Sequence, residues 1–184
     1  MMSEKDQKSI SKFLSLVLRH QPEVIGISLN NSGWTAIDDL LAGLKSRNRE
    51  LTRQQLDDVV ANNDKKRFEI SEDGLRIRAS QGHSLSVDMG YQPQEPPPVL
   101  LHGTVEKFID SIRERGLVKG KRQHVHLHND RQVAIQVGSR RGRPMILKID
   151  AAAMSAEGYE FYCSTNSVWL TDHVPSEFIT FPVD

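Results

Sequence analysis

A proline-rich segment near the middle of the chain limits most strongly how this sequence can fold. Residues 91–98 contain four of the eight prolines and show neither helical nor strand periodicity. Because proline fixes φ and removes a backbone donor, such a run forms a stiff extended connection. We therefore predict two domains, over residues 1–90 and 99–184, joined by a linker over 91–98.

Composition excludes several classes of protein. A chain of 184 residues with 26% charged residues and 38% hydrophobic residues is not a disordered chain. No apolar run approaches the roughly 20 residues of a spanning helix, and residues 1–7 lack the basic and apolar regions of a signal peptide. Cys163 is the single cysteine, so no intrachain disulfide forms and we expect a cytoplasmic protein. Cys163 lies in an alternating strand without an adjacent histidine, so we expect a small buried hydrophobe rather than a nucleophile. We also expect a monomer.

The first half of the chain predicts three helices followed by a β-hairpin. Apolar residues at helical spacing over 10–17 predict a helix that ends before Pro22. Thr35 and Thr52 each begin a capping-box pattern, which predicts two further helices. Two alternating stretches around the turn 72–74 then predict the hairpin. This order of elements is typical of a winged helix.

The second hairpin strand is expected to have one apolar and one basic face. Alternation places Leu75, Ile77 and Ala79 on one side and Arg76 and Arg78 on the other. An exposed strand arginine is often only a solvated side chain, so this observation by itself leaves both interpretations open.

The second half predicts a mixed α+β domain without regular βαβ repetition. Residues 99–103 form an apolar strand, and Thr104 has the position of an N-cap for a helix that Gly116 ends. Further strands are predicted over residues 124–128, 145–149, 159–162 and 168–170, with a helix over 130–137. The whole chain is therefore expected to be α+β.

Two short stretches of the first half carry groups that suit an anion. Arg78, Gln81 and His83, with Gly82 between the last two, place a guanidinium, an amide and an imidazole at the end of the hairpin. Phosphate oxygens accept hydrogen bonds from such groups, and arginine meets them bidentately. Arg19-His20 ends the first predicted helix, where the helix dipole favours cations, so a capping role is the alternative there.

Basic residues are concentrated between positions 119 and 143, although the chain has no net formal charge. The bases of this run are Lys119, Lys121, Arg122, Arg131, Arg140, Arg141 and Arg143. Asp130 is the single acid among them. The pattern favours a focused anion site over a solvated basic face, which remains the alternative.

Three histidines share one side of the strand predicted over 124–128. Imidazoles at positions 124, 126 and 128 can ligate a metal, but Asp130 is the one carboxylate nearby. We therefore expect this strand to line a ligand site that contains no metal. No glycine pattern of a Rossmann domain or of a P-loop is present.

Motifs along nearly the whole chain resemble, in order, those of the KptA-type RNA 2′-phosphotransferases. They are Leu18-Arg19-His20, Gly33-Trp34, the stretch 77–84, His102-Gly103-Thr104, and the stretches 124–127, 138–144 and 166–171. The resemblance implies a winged-helix lobe that binds RNA and its phosphate, and an ADP-ribosyltransferase-like lobe that binds NAD. The active site would lie in the cleft between the lobes.

The resemblance also implies a two-step reaction, as in tRNA splicing. An internal 2′-phosphate of RNA attacks the nicotinamide-bearing ribose carbon of NAD and expels nicotinamide. The ribose 2″-hydroxyl then attacks the phosphate, releasing repaired RNA and ADP-ribose 1″,2″-cyclic phosphate. No metal and no membrane are implied. The basic run is expected to capture RNA phosphates with salt-dependent affinity.

Individual roles follow from the same resemblance. Phosphate handling is implied for Arg19, His20, Arg78 and Arg140, and RNA contact for Gln81, His83 and Arg141. Because phosphoryl chemistry without a metal needs several fixed positive donors, we expect the three arginines to converge on one phosphate. NAD binding is implied for His102, Gly103, Thr104, His124, His126, Asn166, Ser167 and Val168. We expect the absence of a side chain at Gly103 to let NAD approach the backbone.

His128, Thr165 and Ser167 depart from the residues common in the family. Ser167 stands where glycine is common, so a positive φ at this position would strain the turn by about 1 kcal/mol.

Two other functions compete with this interpretation. One is a winged-helix regulator that senses a nucleotide without chemistry. The other is an ADP-ribosyltransferase that modifies terminal nucleic-acid phosphates, or a protein, and stops at the ADP-ribosylated product.

Overall fold

The computed structural model describes residues 2–182, and the chain divides after Gly90 into two compact units. We call them unit 1, which ends at residue 90, and unit 2, which begins at residue 91. Both combine helices with small antiparallel sheets, so the chain is mixed α+β as predicted. Residues 80–98 form neither helix nor strand.

Unit 1 contains three α-helices and one antiparallel sheet of strand order β1-β3-β2. Its elements are α1 (Glu4–Arg19), a 3-10 helix (Pro22–Ile25), β1 (Thr35–Ala36), α2 (Ile37–Ser46), α3 (Arg53–Ala61), β2 (Phe68–Ile70) and β3 (Arg76–Ala79). The three helices and the hairpin β2–β3 confirm the predicted order.

One of the two predicted capping boxes forms. At α3, the Thr52 side chain accepts from the Gln55 backbone N–H, and the Gln55 side chain accepts from that of Thr52. The prediction that Thr35 caps α2 is wrong, because Thr35 pairs with Ile77 in the short strand β1. Ala36 is the N-cap of α2 instead and makes no side-chain hydrogen bond.

The hairpin has the predicted faces with one exception. Ile77 and Ala79 are fully buried, whereas Leu75 is 65% exposed. The expectation for Leu75 is wrong because it lies in the turn before β3, where strand alternation does not apply. The core of unit 1 is Leu14, Val17, Leu18, Ile25, Ile27, Ile37, Leu40, Leu44, Leu51, Leu56, Val59, Phe68, Ile77 and Ala79.

Unit 2 contains two three-stranded antiparallel sheets, of order β11-β7-β4 and β6-β9-β8, and a strand pair β10-β5. Its helices are 3-10 (Glu106–Phe108), α4 (Ile109–Arg115), α5 (Arg131–Ser139), α6 (Ala151–Ala156) and 3-10 (Ser176–Phe178). Its strands are β4 (Val99–Thr104), β5 (Leu117–Val118), β6 (Val125–Leu127), β7 (Met145–Asp150), β8 (Tyr162–Cys163), β9 (Trp169–Thr171), β10 (His173–Val174) and β11 (Ile179–Thr180).

Thr104 has a different role from the predicted one. It is the last residue of β4 and pairs with Met145 of β7, so it does not cap a helix. The following helical segment begins after Val105, whose side chain makes no capping hydrogen bond. Helix α6 and the short strands β5, β10 and β11 lie outside the predicted elements.

Helix α5 packs against β4 through two glycines. A Cβ on Gly103 would lie 1.9 Å from the Ala134 carbonyl oxygen, and one on Gly138 would lie 3.0 Å from that of Thr104. Backbone of the helix therefore fills the space beside Gly103. The expectation that this glycine makes room for a ligand is wrong, because its missing side chain is required for the contact between helix and strand.

No helix within residues 2–182 is both long enough and apolar enough to cross a membrane.

Candidate functional site

The end of α1 and the segment after β3 meet within unit 1. The Ser84 backbone N–H donates to the Arg19 carbonyl over 3.0 Å, and the Ser84 hydroxyl is hydrogen-bonded to His20 Nδ1 over 2.9 Å. Gly82 has φ +87°, and a Cβ there would lie 3.5 Å from Cζ of Arg19. The glycine thus allows the backbone to pass beside the guanidinium, and two motifs distant in sequence form one cluster.

Arg78 is held by three neighbours. Its Nε–H donates to Oε1 of Glu69, the residue opposite it in β2. Its Nη1 donates to the Ser32 carbonyl over 3.1 Å, and Cζ lies 4.4 Å from the centre of the Trp34 ring. Because the side chain is also only 14% exposed, its guanidinium has a defined orientation without any ligand.

His83 is a buried, neutral imidazole beside these cations. It is 1% exposed, and Nε2 has no hydrogen-bond partner among residues 2–182. Burial lowers the pKa of His83 to about 4, with further lowering by Arg19, Arg78 and His20. All three of these residues are predicted to handle phosphate, so His83 lies close to the predicted phosphate-binding residues.

The neighbouring Gln81 adds another polar atom without a partner. Its Oε1 is buried and has no hydrogen-bond partner within the part of the chain that the structure describes. Buried polar atoms are nearly always hydrogen-bonded, so buried polar atoms without a partner commonly mark a place where a ligand, water or local movement completes the structure.

The contacts described so far gather Arg19, His20, Arg78 and His83 of unit 1 into one donor-rich cluster.

Unit 2 gathers a second cluster where β4 meets β6. Leu101 of β4 and His128, the residue after β6, form an isolated antiparallel bridge. His102 Nδ1 donates to the His126 carbonyl over 3.0 Å, and Arg122 Nη1 donates to His126 Nδ1 over 3.1 Å. With Nδ1 donating, a neutral His102 has Nε2 as an acceptor. With Nδ1 accepting, His126 carries its proton on Nε2.

Protonation of His102 is disfavoured. Burial lowers the pKa of His102, the hydrogen bond to the His126 carbonyl opposes that effect, and Arg122 and Arg141 add to the lowering. Burial also lowers the pKa of His128, to about 4, and the nearby arginines contribute.

Three arginines of unit 2 lie near one another. The surrounding protein lowers the pKa of Arg122 although its side chain reaches solvent, and Arg140 and Arg141 lower it further. Within residues 2–182 none of the three forms a salt bridge. Asp130, the nearest acid in sequence, accepts from the Gln132 backbone N–H over 2.7 Å as the N-cap of α5. This arrangement suits an anion.

The turn over 164–168 is closed by Ser164. Its hydroxyl accepts from the Val168 N–H over 3.1 Å, and its backbone N–H donates to the Val168 carbonyl over 2.9 Å. The Ser164 hydroxyl also donates to Asn166 Oδ1. Ser167 has φ +64°. The turn therefore requires the left-handed conformation at the residue where the family commonly has glycine.

The remaining predicted residues lie apart from these contacts or have other partners. His124 packs against Tyr162, with ring centres 5.5 Å apart. Lys119 forms a 2.6 Å salt bridge with Asp172, so its charge is compensated. Cys163 is half-buried and free, and burial raises the pKa of its thiol, which agrees with a packing role.

The histidine strand does not gather metal ligands. Residues 2–182 contain no group of three or more His, Cys, Asp or Glu side chains that could hold a metal ion.

Sequence reasoning missed Ser32 and Glu69 as contacts of the site, and it gave Ser84 and Arg122 no individual role within their motifs. The hairpin register could have identified Glu69, because it lies directly opposite Arg78. The Ser32 carbonyl offered no signal, since a backbone acceptor carries no residue-type information.

Sequence comparisons cover almost the entire chain. The profile of the RNA 2'-phosphotransferase, Tpt1 / KptA family matches residues 5–173. Proteins named "Probable RNA 2'-phosphotransferase" from Rhodopirellula baltica, Pseudomonas aeruginosa and Streptomyces coelicolor are 54%, 54% and 49% identical to it. The aligned parts cover 99%, 97% and 98% of this chain and 100%, 98% and 98% of those proteins. The chain therefore belongs to the RNA 2′-phosphotransferase, Tpt1 / KptA family.

Proposed function

We propose that this enzyme removes an internal 2′-phosphate from RNA, of the kind found in tRNA, by transferring it to NAD. The reaction proceeds through an ADP-ribosylated 2′-phospho-RNA and yields RNA with a free 2′-hydroxyl, nicotinamide and ADP-ribose 1″,2″-cyclic phosphate. The observation that carries the proposal is the cluster of Arg19, His20, Arg78 and His83 in a chain of this family.

The cluster in unit 1 suits the phosphate. A transition state for phosphoryl transfer spreads negative charge over the phosphate oxygens, and fixed guanidinium donors stabilise that charge. Arg78 is fixed by Glu69, Ser32 and Trp34 before any ligand arrives. Arg19 and Arg78 would donate to the phosphate, and we assign Arg140 of unit 2 to the same role.

His20 would act on the phosphate or on a proton. Its Nδ1 is hydrogen-bonded to the Ser84 hydroxyl, which sets the orientation of the ring. An imidazole in a defined orientation can donate to a phosphate oxygen or move a proton in the reaction.

The cluster in unit 2 fits NAD, which would supply the ribose carbon that accepts the phosphate. Arg122, with the charges of Arg140 and Arg141 beside it, provides a positive potential for a pyrophosphate. His102 offers an acceptor and His126 a donor at Nε2. The residues that would hold NAD are His102, Gly103, Thr104, His124, His126, Asn166, Ser167 and Val168. Gly103 would contribute through its backbone, because α5 fills the space beside its Cα.

The folds of the two units support this assignment. The order α1, β1, α2, α3, β2, β3 with a sheet β1-β3-β2 supports a winged-helix lobe for unit 1. Two small antiparallel sheets with α5 packed on β4 support an ADP-ribosyltransferase-like lobe for unit 2.

Mass analysis of one reaction tests the proposed function. The purified chain is incubated with NAD and an RNA oligonucleotide carrying one internal 2′-phosphate, and the same oligonucleotide with a 2′-hydroxyl is the control. We expect nicotinamide release, an RNA product lighter by the phosphate, and an ADP-ribose cyclic phosphate, only from the phosphorylated RNA. Phosphate loss without NAD would contradict the role of NAD.

The same experiment separates the alternative activity. A stable RNA product heavier by one ADP-ribose, with no return to the 2′-hydroxyl form, would indicate an ADP-ribosyltransferase. No nicotinamide release at all would contradict both activities and leave a binding role.

A further inference from the structure

We propose that the turn formed by residues 30–34 is a positioning element that acts on the reaction through Arg78. This inference rests on the proposed function, in which Arg78 donates to the phosphate. The turn contains no side chain to which the family resemblance assigns a role, and it precedes Arg78 in sequence by more than forty residues.

The turn is rigid because Asn30 closes it on itself. Asn30 Oδ1 accepts from the backbone N–H of Ser32 over 3.0 Å and from that of Trp34 over 2.9 Å. The Asn30 backbone N–H donates to the Trp34 carbonyl over 2.9 Å, and its carbonyl accepts from the Gly33 N–H over 3.0 Å. Four hydrogen bonds to one residue therefore fix the conformation of a segment without helix or strand.

The rigid turn presents two different contacts to the same guanidinium. The Ser32 carbonyl accepts from Arg78 Nη1 over 3.1 Å, which fixes one edge of the plane. The Trp34 ring lies 4.4 Å from Cζ, which fixes the plane itself. Together with Glu69 on Nε, these contacts leave the Nη2 edge to meet an anion. The turn therefore determines which edge of the Arg78 guanidinium is available to donate to the phosphate.

The turn also limits the position of His83. Gly33 has φ +83°, and a Cβ there would lie 3.2 Å from His83 Nε2. A side chain at this position would push the imidazole, which lies in the field of Arg19 and Arg78. Gly33 thus extends the influence of the turn to a second member of the cluster.

A double-mutant cycle tests the proposal in the full chain. Trp34→Leu and Arg78→Ala are made singly and together, and the single-turnover rate of phosphate removal is measured with excess enzyme. We expect Trp34→Leu to slow the reaction about tenfold, since misplacement of a reacting group by about 1 Å has effects of this order or larger. In the Arg78→Ala background, Trp34→Leu should slow it no further.

Conservative variants distinguish positioning from stability. Trp34→Phe retains an aromatic face and Asn30→Asp retains the Oδ1 acceptor, so both should keep most of the activity that Trp34→Leu and Asn30→Ala lose. Arg76→Ala is the matched control. Arg76 lies on the same face of β3, 5.6 Å from the Trp34 ring, and its side chain is 49% exposed. We expect its rate to remain that of the wild-type chain.

The outcomes separate this inference from the proposed function. An additive cycle, in which Trp34→Leu slows the Arg78→Ala enzyme as much as the wild type, would overturn the positioning role. If Trp34→Leu fails to fold, Asn30→Ala enters the same cycle with the same expectation. An Arg78→Ala chain with wild-type rate would instead contradict the role of Arg78 in the proposed function.

Discussion

The two units hold their arginines in opposite ways. In unit 1, Arg78 has a carboxylate, a carbonyl and an indole as neighbours, from Glu69, Ser32 and Trp34. In unit 2, desolvation by the surrounding protein lowers the pKa of Arg122, and the neighbouring Arg140 and Arg141 lower it further. One cation is thus compensated and oriented, whereas the others raise one another's electrostatic energy.

This difference indicates two ways of preparing for an anion. A guanidinium fixed by several partners needs no reorganisation when charge develops on a phosphate, which favours a role in the transition state. Crowded cations gain stability when an anion binds, which favours a role in ground-state binding. We therefore expect changes at Arg78 to affect the rate, and changes at Arg122 and Arg141 to affect ligand affinity. Changes at Arg140, which we assign to the transferred phosphate, should affect both.

The largest expected effect is on catalysis. Arg78→Ala and Arg140→Ala should each slow phosphate removal by about a hundredfold or more, as expected for the loss of a transition-state donor. Arg78→Lys should recover little, because lysine cannot reproduce the planar contacts to Ser32 and Trp34. Arg140→Lys should recover more. Steady-state kinetics measures the rates of all four variants, with Arg115→Ala as a surface control because Arg115 is exposed at the end of α4. Equal rescue by lysine at both positions would contradict the comparison.

Next in size is the pH dependence of stability. The pKa values of His83 and His128 are about 4 in the folded chain, against an ordinary value of 6.5. Between pH 6.5 and 4 the unfolded chain therefore binds more protons than the folded chain. The neutral histidines contribute their full free energy of stabilisation above pH 6.5, and this contribution is lost as the pH falls towards 4. For the buried His83 the loss is about 3 kcal/mol.

Denaturant unfolding between pH 7 and 4.5 measures this effect. The chain has two tryptophans, Trp34 in unit 1 and Trp169 in unit 2, so their fluorescence reports on the units separately. His83→Leu should flatten the pH dependence of the unfolding free energy that Trp34 reports, and should not change the pH dependence that Trp169 reports. An unchanged slope at Trp34 would contradict a buried neutral His83.

A smaller effect is expected from two glycine substitutions. Gly103→Ala places a Cβ 1.9 Å from the Ala134 carbonyl, so β4 and α5 must separate, at a cost of about 1–3 kcal/mol or more. Gly26→Ala meets no atom within 4 Å but has φ +70°, which costs about 1 kcal/mol. Thermal unfolding should show the larger loss for Gly103→Ala, and equal losses would contradict the packing role of Gly103.

The smallest effect is expected at Ser167. Its φ of +64° strains a serine, so Ser167→Gly should stabilise the chain by a few tenths of a kcal/mol, up to about 1. The gain is limited because glycine also increases the entropy of the unfolded chain. Asn48→Gly is the control, since Asn48 has φ +56° and asparagine tolerates this conformation better. A lower melting temperature for Ser167→Gly would contradict the expected relief of strain.

Sequence patterns predicted elements whose signals are local. The spacing of apolar residues identified α1, the Thr52 capping box identified α3, and the turn 72–74 identified the hairpin. The same kind of signal failed at Thr35 and Thr104, because strand pairing with β3 and β7 outweighs a possible cap. A capping pattern predicts a helix start only where no partner strand competes for the residue.

The sequence by itself determined which chemical groups this protein has and their order along the chain, because motifs such as Arg19-His20 and 78–84 are local strings of residue types. Only the tertiary structure decided how they are used. The orientation of Arg78 depends on a carbonyl of the turn 30–34, the neutral state of His83 on its burial, and the need for glycine at position 103 on the backbone of α5. Each of these depends on distance and burial between residues far apart in sequence, and neither quantity is encoded in a local pattern.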